Sequence, residues 1–171
     1  MAEVGNSNLL KNTGISDVAG SACIVIIRTE WNAAVLDALE EGCTAKLKRE
    51  GACSYKVITV PGAFEIPFAI RAYWDLHKYK DDRPWAFIAL GCVIRGDTPH
   101  FEYVCRAVTD GVLQLNMTLP VPTIFGVLTV DNQQQADERI GGKHGHKGEE
   151  AAITALKMIS LQKAFKPPTI S

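Results

Sequence analysis

The sequence predicts an α/β domain in three layers, a four-stranded parallel sheet with helices on both faces. Three observations predict it. Two short runs, 22–28 and 85–93, are apolar without alternation, as expected of strands covered on both sides. Strand-like and helix-like segments alternate along the whole chain, and such alternation gives right-handed crossovers and a parallel sheet. Turn and stop signals fall between the segments, among them Gly51, Pro61-Gly62 and Pro84.

Each element has its own justification. After the first strand, 22–28, the residues Val35, Leu36, Leu39, Cys43 and Leu47 recur at helical spacing over 33–50, and Gly51 is placed to end that helix. A second strand covers 55–60. Beyond the Pro61-Gly62 turn a helix is expected over 64–77, with Pro67 tolerated in its first turn. Asp81, Asp82 and Pro84 mark a loop before the third strand, 85–93. Val104, Val108, Val112 and Leu115 share one face of a helix over 101–119. The fourth strand is 121–130, and Phe125 within it reads as core. Asp131 or Asn132 can cap a short helix. Ala152, Ala155, Leu156 and Ile159 form the apolar stripe of a last helix, 148–165, stopped by Pro167-Pro168. One domain over 21–165 is expected between an N-terminal arm, 1–20, and a tail, 166–171.

Composition narrows the function classes. Of 171 residues 47% are hydrophobic and 22% charged, and the net charge is -1 with no long basic run, which argues against nucleic-acid binding. No apolar run approaches the ~20 residues of a membrane span, and residues 1–17 lack the apolar core of a secretory leader. The five cysteines, Cys23, Cys43, Cys53, Cys92 and Cys105, are odd in number and form no C-x-x-C pair. Neither a disulfide framework nor a zinc ribbon follows; free thiols in a reducing cytoplasm do.

In folds of this kind ligands bind beyond the carboxyl ends of the strands. Four segments lie there: 29–32, 61–65, 95–100 and 129–132. Trp31-Asn32 offers an indole to stack on a planar heterocycle, or to pack in the core. Glu65 opens a helix beside Pro61-Gly62 and can accept from ligand hydroxyls. Arg95-Gly-Asp-Thr-Pro-His100 leads into a helix start, where unpaired N–H groups attract phosphate. In that loop Gly96 allows close backbone approach and Thr98 adds a hydroxyl; alternatively the loop is a connector capped by Asp97 or Thr98. His100 can exchange protons near neutral pH. The stretch 138–148 is dense in cations and glycines: Arg139 offers a bidentate fork for phosphate, and Lys147 precedes the last helix. His144-x-His146 lacks a third ligand, so no metal site is expected.

Four stretches together resemble the lumazine synthase family: Val60-Pro-Gly-Ala-Phe-Glu-Ile-Pro67, Gly91-Cys-Val-Ile-Arg-Gly-Asp-Thr-Pro-His-Phe-Glu-Tyr-Val-Cys105, Ile124-Phe-Gly-Val-Leu-Thr129, and the Glu138-Arg-x-Gly-x-Lys-x-Gly-x-Lys-Gly148 run. They fall in the family's order and cover nearly the whole domain. The resemblance implies a flavodoxin-like sandwich, pentamers with active sites between subunits, no metal and no organic cofactor. It implies condensation of 5-amino-6-(D-ribitylamino)pyrimidine-2,4-dione with 3,4-dihydroxy-2-butanone 4-phosphate to 6,7-dimethyl-8-ribityllumazine, phosphate and water. The alternatives are a pentameric archaeal-type riboflavin synthase and a non-catalytic lumazine- or flavin-binding homologue.

Carried over by position, the resemblance implies that Trp31, beside Asn32, stacks on the pyrimidine where many members have Phe. Ala63, Phe64 and Glu65 hold the ribityl chain and ring edge. Cys92, Val93 and Ile94 supply backbone contacts to the pyrimidine. Asp97, Thr98 and Arg139 bind the phosphate, and His100 transfers protons. Phe125 closes over the heterocycle of a neighbouring subunit, with Lys147 close to the reacting groups. Pro99, Ile140, His144 and His146 depart from the family's frequent residues. The compact run 141–148, without insertion, implies twelve pentamers closed into an icosahedral 60-mer.

Overall fold

The computed structural model describes residues 8–10, 15, 23–52 and 54–165. Most of the arm 1–20, the tail with Pro167-Pro168, and Cys53 lie outside the described residues. The principal elements run β1 (Cys23–Thr29), α1 (Ala33–Arg49), β2 (Ser54–Val60), a 3-10 turn (Ala63–Glu65), α2 (Ile66–His77), β3 (Ala86–Ile94), α3 (His100–Thr118), β4 (Thr123–Val130), α4 (Gln133–Asp137), β5 (Ile140–Gly142), β6 (Gly145–His146) and α5 (Lys147–Ala164).

The first four strands form one parallel sheet in the order β2-β1-β3-β4. Side chains alternate across it. Ile24, Ile26, Ile88, Leu90, Ile124 and Leu128 pack with the apolar faces of α1 and α5. Val25, Ile27, Phe87, Ala89 and Val127 pack with α2 and α3. A strand sandwiched in this way has no polar face to show, which is why 22–28 and 85–93 read as unbroken apolar runs. The three-layer flavodoxin-like class is the one expected. Helix faces also hold: Val35, Leu36, Leu39, Cys43 and Leu47 are buried on α1, and Ala152, Ala155, Leu156 and Ile159 on α5.

Local chemistry sets the ends. Gly51 takes φ 81°, the left-handed conformation that closes a helix, and its N–H bonds the Lys48 carbonyl at 3.0 Å. Asn132, rather than Asp131, caps α4 by accepting from the Gln135 N–H at 2.9 Å. β4 begins two residues later than expected, at Thr123. Pro122 has no N–H for a ladder bond, and its carbonyl accepts from the Phe87 N–H.

The structure refines one expectation and corrects two. First, the run 141–148 takes the form of an antiparallel hairpin of β5 and β6, with Ile140 opposite His146. Gly141 and Gly145 have φ 114° and 76°, and a Cβ on Gly148 would sit 2.1 Å from the Leu39 carbonyl oxygen. Strands this short carry no periodicity to read. Second, neither Asp97 nor Thr98 caps α3: Pro99 holds the cap position and no side chain bonds the helix start. Third, Phe125 is not core. It is 41% exposed because β4 is the last strand of the sheet and no described element pairs its outer side.

Candidate active site

The carboxyl ends of β1, β2 and β3 open on one side of the sheet, and most of the predicted residues gather there. Trp31 is 73% exposed and Phe64 62% exposed, so the indole is free for a ligand and does not pack in the core. A Cβ on Gly62 would lie 3.0 Å from a Glu65 carboxylate oxygen and 3.6 Å from the Trp31 ring. Gly62 therefore leaves a small space flanked by a carboxylate and an indole. Ala63 is buried beneath this rim, whereas Glu65 is exposed.

Asn32 has a structural task that its sequence position did not reveal. It is the non-glycine residue with positive φ (57°) among the described residues, a conformation that asparagine tolerates better than most. Its side-chain N–H donates to the Cys92 carbonyl at 2.8 Å, tying the end of β1 to β3. The bend after Trp31 is thereby fixed, with one N–H of the Asn32 amide engaged by the protein. Cys92 is buried, and burial pushes its thiol up to about 11. A thiol so protonated is no nucleophile, leaving Cys92 its backbone and its bulk. Val93 and Ile94 complete the strand end, half-buried.

Beyond Ile94 the chain turns through exposed Gly96, Asp97 and Thr98 to His100, the first residue of α3. A Cβ on Gly96 would meet no atom of the protein within 4 Å, and its φ lies outside the left-handed region, so the fold itself does not demand glycine there. The loop is held instead by Arg95, which the sequence reading passed over. Its backbone N–H bonds the Val130 carbonyl at 2.9 Å, its Nε donates to Asp131 at 2.8 Å, and its Nη1 donates to Glu102. The guanidinium also lies 4.1 Å from the Phe101 ring centroid. These hydrogen bonds from Arg95 hold the Asp131 and Glu102 carboxyls below their ordinary ranges. The ties are accordingly complete at neutral pH and are lost only as acid titrates the carboxylates, from below the ordinary 4.5 and 3.8 downward. A signal existed in the sequence, an arginine seven residues before a glutamate across a helix start, but its second partner comes from β4.

The remaining residues form a separate group on the β4 side. The β5–β6 hairpin brings Arg139 and Lys147 together, the Lys147 N–H bonding the Arg139 carbonyl at 2.8 Å. Arg139 Nη1 donates to the Gln135 carbonyl at 2.6 Å, and its Nε is buried without a hydrogen-bond partner. Lys147 Nζ is held by both Glu150 oxygens, at 2.8 and 2.7 Å. Phe125 and Lys147 line one groove of about 910 Å³ along the outer side of β4, walled by Leu119, Val121, Met158 and Leu161. No residue of the segments 29–32, 61–65 and 95–100 lines it, and of the fourth strand end only Thr129 does. Phe125 faces Ala89 in the register, five positions before the Ile94–Val130 pair that ends both strands; at ~3.3 Å per residue it lies ~16 Å back from the strand ends.

The two loop histidines diverge. His144 approaches Glu138 at 3.5 Å, while the His146 ring lies over Gly42 of α1, where a Cβ would meet it at 2.1 Å. Among the described residues no group of three His, Cys, Asp or Glu side chains could hold a metal, and no helix is long and apolar enough to cross a membrane.

A family model described as 6,7-dimethyl-8-ribityllumazine synthase matches residues 21–163. The chain is 46% identical over 142 residues to the 6,7-dimethyl-8-ribityllumazine synthase of Porphyromonas gingivalis, covering 82% of this chain and 85% of that one. It is 46% identical over 138 residues to that of Bacteroides fragilis, covering 80% and 93%. The protein of the same name from Cytophaga hutchinsonii is 43% identical over 157 residues, covering 91% and 96%. The chain belongs to the 6,7-dimethyl-8-ribityllumazine synthase family.

A lumazine synthase is a transferase of riboflavin biosynthesis, and that is the enzyme class of this chain. Neither a riboflavin synthase nor a binding protein without turnover is favoured by these relatives. For a lumazine synthase the rim has the right character: a flat exposed indole and a phenyl ring beside a carboxylate and a loop that ends on a helix start.

Proposed function

We propose that the rim of one copy and the β4 groove of the next form a single active site, where the ribitylamino-pyrimidine condenses with the four-carbon keto-phosphate. The observation that carries this reading is the division within one chain. Trp31, Phe64, Glu65 and His100 share the rim, whereas Phe125 and Lys147 line a groove that none of these residues enters. An eight-residue apolar edge strand left open beside that groove is a surface that proteins rarely leave uncovered. A second copy seated there would bring Phe125, Arg139 and Lys147 to its neighbour's rim, and a ring of such heterologous contacts closes.

In this site Trp31 stacks on the pyrimidine, backbone groups of Cys92 to Ile94 align its edge, and Glu65 accepts from ribityl hydroxyls. Asp97, Thr98 and Arg139 hold the phosphate. The pyrimidine amine attacks the ketone, and water leaves to give an imine. Removal of the proton at C3 then breaks the C4–oxygen bond, phosphate departs, and the enol left behind becomes a ketone; the ribitylamino nitrogen adds to that carbonyl, and a second water leaves as the ring closes. His100 carries protons between these steps. Much of the acceleration comes from holding the two reactants together.

An assay following lumazine absorbance tests the reaction; a rate no higher than the spontaneous background would defeat it. Arg139→Ala is expected to raise the KM for the keto-phosphate about 10-fold or more while leaving that for the pyrimidine nearly unchanged, since a charge-assisted phosphate contact is lost. Equal changes in both KM values would remove Arg139 from the phosphate site. The assembly is proposed as a pentamer, further closed into an icosahedral 60-mer by the compact hairpin, in the cytoplasm. Electron microscopy at neutral pH decides between shell and ring: particles of only five or ten chains would reject the shell.

A further inference from the structure

Apart from Pro99, whose ring fixes φ at the helix start, the loop 95–100 has little of its own to keep one shape. Gly96 is surrounded by open space, Asp97, Thr98, Pro99 and His100 are exposed, and no side chain caps the helix that follows. Yet both ends of the loop are pinned, and by the same residue. Arg95 fixes the start of the loop to the end of β4 through its backbone N–H on Val130, and to the residue after it through its Nε on Asp131. It reaches across the loop to Glu102 in the first turn of α3, and lies over the ring of Phe101. A planar guanidinium can engage two carboxylates in different directions at once; an ammonium on a flexible stem cannot hold the same two bonds with that geometry.

We propose that Arg95 is the positioning residue of the keto-phosphate site, holding the loop that carries Asp97, Thr98 and His100 in its binding shape by clamping β4 to the start of α3. The proposal rests on the reading that this loop receives the phosphate. Arg95 acts through the loop, with its Nε and Nη1 engaged by Asp131 and Glu102. Its charge has a second effect. The two carboxylates it binds, together with Asp97, would otherwise present three negative charges next to an incoming anion, and their repulsion would act over a few ångströms at low screening.

The test uses the intact protein and three variants, Arg95→Gln, Arg95→Lys and Glu102→Gln. Each is measured for KM toward both substrates, for kcat, and for hydrogen exchange of the amides in 95–102. Arg95→Gln is expected to raise the KM for the keto-phosphate about 10-fold or more, because small misplacements of binding groups are costly, with the pyrimidine KM changed less than about 2-fold. Exchange in the loop should quicken while that of β1 and α1 stays as in the parent protein. Glu102→Gln, which leaves the Asp131 bond, should fall between the parent and Arg95→Gln. Arg95→Lys should recover only part of the loss. An Arg95→Lys variant as good as the parent, equal rises in both KM values, or unchanged loop exchange in Arg95→Gln would each overturn the clamp. A Thr98→Ala variant separates the two readings: no change in the keto-phosphate KM there, alongside quickened loop exchange in Arg95→Gln, would move the phosphate elsewhere and leave the clamp standing.

Discussion

The rim at the strand ends and the hairpin side of the molecule are built on opposite principles. At the rim, side chains do the holding: Asn32 ties β1 to β3, Arg95 ties β4 to α3, and Gly96 stands in open space. Around the hairpin, elements approach so closely that glycine is required. Gly148 of α5 lies against the Leu39 and Cys43 backbone of α1, and Gly42 of α1 lies under the His146 ring. The difference teaches where a substitution will be felt. Changes at the rim act on ligand and turnover with little effect on folding, whereas changes on the hairpin side act on folding first.

The sharpest way to break this contrast is Gly148→Ala. Its Cβ would stand 2.1 Å from one α1 backbone oxygen and 3.0 Å from a backbone nitrogen, so α1 and α5 must part. A loss of about 3 kcal/mol or more is expected in denaturant unfolding, at the upper end of overpacking effects; a change under about 1 kcal/mol would mean that the two helices adjust freely. His100→Ala should do the reverse. Turnover is expected to fall by about 10–10⁴-fold if proton transfer limits the rate, while stability stays within about 0.5 kcal/mol because the side chain is exposed. A variant that lost both together would show that His100 supports the helix start as well as the chemistry.

Thiol reactivity gives a smaller effect that sharpens the comparison. Burial pushes Cys43 up to about 12 and Cys92 up to about 11. At pH 8 neither should react with iodoacetamide in the folded protein, since the thiolate is the reactive form. Rapid labelling of Cys92 would show that the rim opens to its floor. The smallest effect belongs to Gly96→Ala. With φ outside the left-handed region and nothing within 4 Å of the new Cβ, stability should change by less than about 0.5 kcal/mol. Any loss should appear as a raised KM for the keto-phosphate, because the methyl group would stand where the ligand approaches.

The layers, the sheet and the strand-end position of most rim residues are legible in the chain alone. Apolar runs and helical stripes mark elements because each strand is covered on both faces and each helix on one, so burial leaves its period in the chain. The rim residues were legible because they sit at strand ends, where the topology puts ligands, and because four stretches in order resemble a known family. Tertiary structure alone decided the rest. Phe125 reads as core from its neighbours in β4 and is exposed only because that strand ends the sheet. Asn32 and Arg95 gain their tasks from Cys92 and Asp131, partners 60 and 36 residues away. The hairpin over 140–146 depends on two strands too short to carry a pattern. In each case the deciding contact is made between segments remote in the chain, and no local period or propensity encodes a contact of that kind.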